Sequence, residues 1–265
     1  ILLILDTENT LAKTHRQISP PALDRIREIK LEDVSFSYIG DEKVLKNITL
    51  QVNAGETVAV VGPTGAGKTS LVNLLPRFYD PTSGRILIND IDIRKLDSPV
   101  FRDKMALVMQ EPFLFSGTIR QNIFEKEDHT TEESVQKIIE AANCHTLIQK
   151  LPDGLETVLT GGGTSISSGE RQLISIARAF ARNPQLILFD EATSYIDSQT
   201  ELWIQQALEK LMKNRTAMII AHRLSTVRHV DRIIVLNRGR IIETGSHAEL
   251  MDRQGFYYRL SQFQK

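Results

Sequence analysis

The sequence contains very little cysteine and tryptophan and has no long hydrophobic run. Its 265 residues include one Cys, Cys144, and one Trp. A single cysteine excludes an internal disulfide and suits a reducing compartment. No apolar run approaches the roughly 20 residues needed to cross a bilayer. The sequence therefore predicts no membrane span within these residues.

A strong excess of one charge is also absent. Lys and Arg total 32 and Asp and Glu total 33, which gives a formal net charge of -1 at pH 7. This balance does not attract the chain to DNA, RNA or anionic lipid, so we predict no nucleic-acid partner. The composition, 41% hydrophobic and 25% charged, is typical of a folded domain with a sizeable core.

The pattern of strands and helices predicts an α/β fold. Residues 1–28, which include Pro20 and Pro21, are interpreted as a linker, and residues 29–265 as the domain. Alternating apolar residues from Ile29 onward predict an antiparallel β layer on the N-terminal side. Helical periodicity predicts an inserted helical subdomain at about residues 111–183. Short apolar runs predict a parallel sheet flanked by helices; they are Val58–Val61, Leu186–Phe189, Met218–Ile220 and Ile233–Leu236.

A glycine-rich segment between an apolar strand and a helical pattern matches G-x-x-x-x-G-K-[ST]. It consists of Gly62, Pro63, Thr64, Gly65, Ala66, Gly67, Lys68 and Thr69. In this setting the backbone N–H groups turn toward phosphate oxygens, and Lys68 neutralises the β- and γ-phosphates. The Thr69 hydroxyl is placed to coordinate Mg²⁺. The segment predicts a P-loop NTPase core that binds ATP and Mg²⁺ through these residues and the following Ser70.

A second apolar run ends in two acids, Asp190 and Glu191. Ligands bind at the carboxyl edge of a parallel sheet. We therefore predict that Asp190 holds Mg²⁺ and that Glu191 activates the water that attacks the γ-phosphate. The alternative is that the two acids are only a solvated pair at the end of a strand. The presence of the phosphate loop in the same chain favours the functional interpretation. The two motifs together predict ATP hydrolysis.

A third motif, Ile166–Gln172, opens a helical pattern and resembles the LSGGQ signature of the ATP-binding cassette (ABC) ATPases. Other landmarks occur in that family's order: Tyr38 precedes the phosphate loop, Gln110 follows an apolar strand, and His222 follows the third apolar run. The resemblance covers nearly everything from Ile29 to Lys265. It implies the ABC fold and an ATPase activity.

The resemblance implies a role for each of these residues. Tyr38 would stack on adenine, Gln110 would lie near the metal and a membrane partner, and His222 would contact the γ-phosphate. Ser167 and Gly169 would contact the ATP of a second cassette, so that two cassettes enclose two nucleotides. For Tyr38 and His222 a packed structural role is the alternative. The predicted catalytic residues are therefore Lys68, Gln110, Glu191 and His222.

Further segments resemble exporter-type cassettes, in which membrane and nucleotide domains share one chain. They are Gln110–Ile119 and Gly255–Tyr258. The chain begins at Ile1 without an initiator Met, and Ile1–Asp6 resembles the end of a last transmembrane helix. We therefore expect an upstream transmembrane domain on the same polypeptide, a position at the cytoplasmic face of the cell membrane, and ATP-driven export.

The signature departs from the family pattern at three of five positions, Ile166, Ser168 and Glu170. Glu170 would bring a negative charge near the phosphates of the second nucleotide and weaken that composite site. The preceding loop, Thr160–Thr164, also lacks the acidic residue usual in exporters. Because this asymmetry resembles heterodimeric exporters, we expect a different chain as the second cassette.

Two alternatives remain open: a non-transport ATPase of the same family, and an ATP-binding regulatory module without turnover. Chromosome proteins of the family separate the Lys of the phosphate loop from the later Asp by a very long coiled coil. In this sequence only a short segment separates Lys68 from Asp190. Translation factors carry two cassettes in one chain. Glu191 argues against a module without turnover. The transported substrate is not readable from these residues.

Overall fold

The structure is a computed structural model that describes residues 23–124, 131–160, 163, 165–190, 196–221 and 227–262. The strands in these ranges are β1 (Glu28–Phe36), β2 (Leu45–Asn53), β3 (Thr57–Val61), β4 (Ser83–Ile88), β5 (Ile91–Asp92), β6 (Met105–Val108), β7 (Gly117–Thr118), β8 (Val158–Leu159), β9 (Leu186–Asp190), β10 (Thr216–Ile220), β11 (Arg232–Asn237) and β12 (Arg240–Gly245).

The helices of the described ranges are α1 (Lys68–Leu74), α2 (Ser98–Arg102), α3 (Ile119–Ile123), α4 (Glu132–Ala141), α5 (His145–Lys150), α6 (Ser168–Arg182), α7 (Ser198–Met212), α8 (His247–Asp252) and α9 (Phe256–Gln262). The two longest, α6 and α7, begin after Ser167 and Asp197, whose side chains accept hydrogen bonds from backbone N–H groups of the first turn. None of the helices in these ranges is long and apolar enough for a bilayer crossing.

A six-stranded sheet forms the centre of the domain, in the order β12-β11-β3-β10-β9-β6. Its strands pair in parallel except β12, which is antiparallel to β11. Ile220 on β10 pairs with Val60 on β3 and with Asp190 on β9. Because these strands end level with one another, the phosphate loop and Asp190 emerge at the same edge, and the predicted parallel sheet is confirmed.

Both faces of this sheet are buried at the inner strands β3, β9, β10 and β11, which explains why these strands are largely unbroken apolar runs. On β3, Val58 and Val60 belong to one core, whereas Ala59 and Val61 belong to the other. The first core also contains α1 and the antiparallel sheet. The second contains α6, α7 and the C-terminal helices. Each face of the sheet thus packs against a different layer.

The predicted antiparallel layer is a separate sheet with the order β2-β1-β4-β5. The sequence patterns indicated β1 and β2 but not β4 or β5. On β4 only the last three residues are buried, and the first three are exposed. A strand with one exposed half and one buried half gives neither an alternating nor a continuous apolar pattern. The sequence patterns therefore do not indicate β4.

The segment before β1, residues 23–27, is fixed to the domain by two side-chain amides. Gln185 bonds its backbone at 2.7 and 3.0 Å, and Asn89 bonds it at 2.6 and 2.8 Å. Leu23 and Ile26 are buried in the core. The linker boundary at residue 28 and the limits of the helical subdomain stay predictions. Between β6 and β9 the described residues form α3 to α6 and a short two-stranded antiparallel sheet of β7 and β8.

Helices α6 and α7 approach closely at Gly169. A methyl group on Gly169 would lie 2.5 Å from Thr200 Cγ2 and 3.1 Å from Ile196 Cγ2. These separations are too short for carbon atoms, so the missing side chain allows the helices to pack. Gly169 therefore has a structural reason to be glycine that is separate from its predicted contact with nucleotide.

We predict that Gly169→Ala lowers the free energy of unfolding by about 1–3 kcal/mol because the added methyl overpacks this contact. In an uncrowded helix the same change would stabilise the protein. Chemical denaturation midpoints measure the effect. Thr200→Ser removes Cγ2, so the double variant Gly169→Ala with Thr200→Ser should recover much of the loss. A stabilising Gly169→Ala would contradict the packing explanation.

Candidate nucleotide site

The phosphate loop connects β3 to α1 and packs against the β11–β12 hairpin. Gly239 in that hairpin donates its N–H to Ala66 O at 3.0 Å. A Cβ on Gly62 would lie 2.0 Å from Leu236 O, and one on Gly67, where φ is 101°, would lie 2.9 Å from a Leu side chain. Both ends of the loop therefore require glycine for close approach to the neighbouring strands.

Lys68, the first residue of α1, is only 6% exposed. Its Nζ donates to Gly62 O at 2.8 Å and to Pro63 O at 3.1 Å. Burial lowers the pKa of Lys68 below its ordinary value, and the negative charge of Asp190 opposes that shift. Two carbonyl dipoles thus hold a buried cation for which a phosphate anion would be a stronger partner.

Thr69 and Asp190 meet although they are 121 positions apart. Thr69 Oγ1 donates to Asp190 Oδ2 at 3.3 Å. A hydroxyl and a carboxylate are hard oxygen donors of the kind that Mg²⁺ prefers. Among the described residues no group of three or more His, Cys, Asp or Glu could hold a metal ion. A site with these two donors fits an ion such as Mg²⁺, which commonly takes further ligands from phosphate and water.

Tyr38 lies beside α1 and contacts Ser70, which is 32 positions later in the sequence. Its hydroxyl is 3.0 Å from Ser70 Oγ. Ser70 is buried, whereas Tyr38 is 48% exposed. The structure thus places the aromatic side chain predicted to bind the base next to the helix that follows the phosphate loop. On that loop Pro63, Thr64 and Gly65 are exposed, so its outer side is open to a ligand.

Gln110 is exposed and lies two residues after β6. Since β6 pairs with β9, with Val108 opposite Phe189, Gln110 leaves the sheet at the same edge as Asp190. Two predicted catalytic residues, Glu191 and His222, lie outside the described residues. Their predicted roles stay predictions.

Ser167 and Gly169 are at the start of α6, on the face of the sheet opposite α1. No hydrogen bond in the described part of the chain joins them to the phosphate loop. Instead, Ser167 Oγ accepts from the Glu170 N–H at 3.2 Å, and Glu170 Oε2 accepts from the Ser167 N–H at 2.8 Å. This capping box satisfies two N–H groups at the start of the helix with groups from the chain itself.

The sequence analysis missed two residues around the loop. The ring centroid of Tyr79 lies 5.1 Å from that of Tyr38. In the sequence, Tyr79 is recognisable only as an aromatic residue shortly after the helical pattern of α1. Gly239 supports the loop through Ala66. A glycine between two strand patterns predicts a hairpin turn, but no local pattern shows that the turn touches the phosphate loop.

Comparisons with known proteins now bear on this arrangement. The family model described as "ABC transporter" matches residues 45–194, which is more than half of the chain. The chain belongs to the ABC transporter family. The predicted family and fold are therefore confirmed, and with them nucleotide binding and the ATPase class of the domain.

The individual relatives include an ABC transporter protein and a flippase. The chain is 49% identical over 239 residues to the uncharacterized ABC transporter ATP-binding protein YfiC of Bacillus subtilis, covering 89% of this chain and 40% of YfiC. It is also 49% identical over 243 residues to an ATP-dependent lipid A-core flippase of Syntrophus aciditrophicus, covering 91% of this chain and 40% of the flippase. The chain thus spans about two fifths of the length of these relatives.

A solved structure agrees with these sequence matches. The structure of a bacterial Atm1-family ABC exporter with ATP bound superposes with a TM-score of 0.86 at 38% identity. The match covers 95% of this chain and 45% of that one. The whole described fold is therefore similar to the nucleotide-binding part of an exporter.

The lowered pKa of Lys68 predicts a pH dependence of Mg-ATP binding. Pairing with phosphate favours the charged ammonium and raises the pKa of Lys68. Binding therefore takes up a proton when the pH lies between the pKa of Lys68 in the free protein and its pKa in the bound protein. We expect the Kd for Mg-ATP to increase as the pH rises through the lowered pKa, by up to about tenfold per pH unit. Calorimetry in buffers with different ionisation enthalpies measures both the Kd and the proton uptake.

The control for this prediction is Lys68→Arg, because a guanidinium stays protonated throughout the accessible pH range. That variant should show little dependence on alkaline pH, whatever its absolute affinity. An equal dependence in both proteins would assign the proton to another group.

Proposed function

We propose that this domain binds Mg-ATP at the carboxyl edge of its central sheet and hydrolyses it to drive export through a transmembrane domain on the same polypeptide. The observation that carries the proposal is the hydrogen bond between Thr69 and Asp190 beside the buried Lys68. A hydroxyl and an ammonium from the start of α1 and a carboxylate from the end of β9 converge there. This set suits a triphosphate with a bound divalent ion.

The nucleotide would lie across the exposed side of the phosphate loop, with its base toward Tyr38. Lys68 would exchange its acceptors, Gly62 O and Pro63 O, for oxygens of the β- and γ-phosphates. The hydrogen bond between Tyr38 and Ser70 supports this placement. It joins the residue proposed to bind the base to α1, the helix that also carries Lys68.

Thr69 and Asp190, together with Gln110, would hold Mg²⁺, which when bound neutralises charge that develops on the phosphates. Glu191 would accept a proton from the attacking water. His222 would bind the γ-phosphate. The sheet register supports these roles, because Glu191 directly follows β9 and His222 follows β10, whose last residue pairs with Asp190.

An exposed aromatic pair supports a partner surface for the transmembrane domain. Phe113 and Phe115 are 64% and 60% exposed, with ring centroids 5.2 Å apart. Arg178 of α6 donates to Phe113 O at 3.2 Å and lies 5.7 Å from the centre of the Phe115 ring. Exposed apolar clusters commonly mark interfaces. Docking here would connect the membrane domain to α6, and would put the cassette at the cytoplasmic face of the membrane.

The capping box at Ser167 supports a second cassette that differs from this one. The Glu170 carboxylate lies at the start of α6, where the family resemblance places the nucleotide of the partner. A carboxylate there opposes a phosphate. A heterodimer, in which the other chain presents a regular signature to the ATP bound here, avoids this repulsion at the intact site.

We predict that Glu191→Gln lowers the turnover rate for ATP by at least about 100-fold, because the amide cannot accept the proton of the attacking water. Binding of ATP should change by less than about twofold, since the side chain keeps its shape. Phosphate release and calorimetry measure the two quantities. Glu133→Gln, at an exposed position on α4, is the matched control. Unchanged turnover in Glu191→Gln would contradict the role of Glu191 as the base, and absence of turnover in the unaltered chain would favour a regulatory module.

A second prediction concerns the charge at the signature. In the Glu191→Gln background with Mg-ATP, Glu170→Gln should strengthen self-association of this chain by about tenfold or more, because it removes a charge that faces phosphate. Glutamine retains the capping box, so the helix start is preserved. Light scattering coupled to size exclusion measures the dimer fraction.

The chain offers a matched control for this variant. Glu249 forms the same capping box with Ser246 at the start of α8. Glu249→Gln should leave self-association unchanged. If Glu170→Gln has no more effect than Glu249→Gln, the charge at the signature is not what limits pairing.

A further inference from the structure

Three aromatic rings contact one another at the base end of the site. The centroids of Phe36 and Tyr38 are 4.8 Å apart with planes at 76°, and those of Tyr38 and Tyr79 are 5.1 Å apart with planes at 89°. Phe36 and Tyr79 complete the cluster at 5.4 Å. Phe36 is buried, whereas Tyr38 and Tyr79 are 48% and 42% exposed. The cluster therefore reaches from the core to the surface at Tyr38.

Tyr38 has little support from its own loop. It follows the end of β1, and the next residue, Ile39, is 90% exposed. Its ring is instead positioned by edge-to-face contacts with Phe36, the last residue of β1, and with Tyr79, and its hydroxyl is hydrogen-bonded to Ser70 Oγ. Edge-to-face geometry fixes the angle between two rings. Tyr79 therefore restricts the plane of the ring that the base would stack on.

Tyr79 itself is presented by an anchored segment. Arg77 is buried and pairs with Asp80 at 2.8 Å. Arg102 donates to Pro76 O at 2.8 Å and to Arg77 O at 2.9 Å. Arg102 thus holds the backbone before Tyr79, and the Arg77–Asp80 ion pair joins residues on either side of it, so this ring is a firm support for a more exposed neighbour.

We propose that Tyr79 is a positioning residue that holds Tyr38 in the orientation that stacks on the adenine base. This inference rests on the proposed function, in which Tyr38 binds the base. Tyr79 acts on the base rather than on the phosphates, because its ring contacts Tyr38, the residue proposed to bind the base. When fewer molecules hold the competent orientation, the apparent affinity falls in proportion.

The test compares Mg-ATP with Mg-tripolyphosphate, which has the same phosphate chain and no base. Tyr79→Leu keeps apolar bulk but removes the ring. We expect it to weaken ATP binding about 3- to 10-fold, the range given by the loss of one aromatic pair, while tripolyphosphate binding stays within about twofold. Tyr79→Phe keeps the ring and should bind both ligands as the unaltered chain does. Calorimetry measures all the affinities.

A general structural role for Tyr79 predicts a different result. An equal loss of ATP and tripolyphosphate binding in Tyr79→Leu, or no loss of either, overturns the proposal. So does a Tyr79→Phe variant that behaves like Tyr79→Leu. Thermal unfolding of each variant shows whether the fold is retained.

Two further measurements separate this inference from the proposed function. If the unaltered chain binds neither ligand, the proposed phosphate site is wrong. If Tyr38→Ala leaves the ratio of ATP to tripolyphosphate affinity unchanged, base stacking on Tyr38 is wrong. When both of these measurements support the site, the result for Tyr79→Leu decides the role of Tyr79 alone.

Discussion

The parallel register of β3, β10 and β9 is the constraint on which the candidate site depends. Val60, Ile220 and Asp190 pair across these strands, so the three strands end level with one another. Both faces of the sheet are buried at these strands, and a slip of one residue would turn each apolar side chain toward the opposite core. The hydrophobic packing thus fixes the register, and the register brings Asp190 to Thr69.

The polar groups of the site bond to one another within the chain. Lys68 bonds to loop carbonyls, Thr69 to Asp190, and the Tyr38 hydroxyl to Ser70. Leaving the buried ammonium of Lys68 without a partner would be costly. Nucleotide binding is therefore an exchange of internal hydrogen bonds for stronger ones to phosphate, and the net affinity is the difference between the two sets.

The two faces of the sheet support different parts of the proposed mechanism. The face with α1 and the antiparallel sheet supports the nucleotide. On the other face, α6 connects three features: the capping box at its start, the close packing on α7 at Gly169, and the contacts of Arg178 with the exposed Phe113 segment. These contacts connect α6 to its neighbours at three points, which would suit its proposed position between a membrane domain and a second cassette.

The sequence by itself determined the features that depend on short stretches of chain: the apolar strands, the phosphate loop, the acids after β9 and the family. It also contained the Ser-x-x-Glu pattern of the capping box at Ser167, which was interpreted only as a signature. Tertiary structure alone decided that Tyr79 contacts Tyr38 and that Gly239 supports the loop. It also decided that Gly169 is confined by Thr200. These contacts join residues on separate elements, and their distances follow from packing that no local periodicity records.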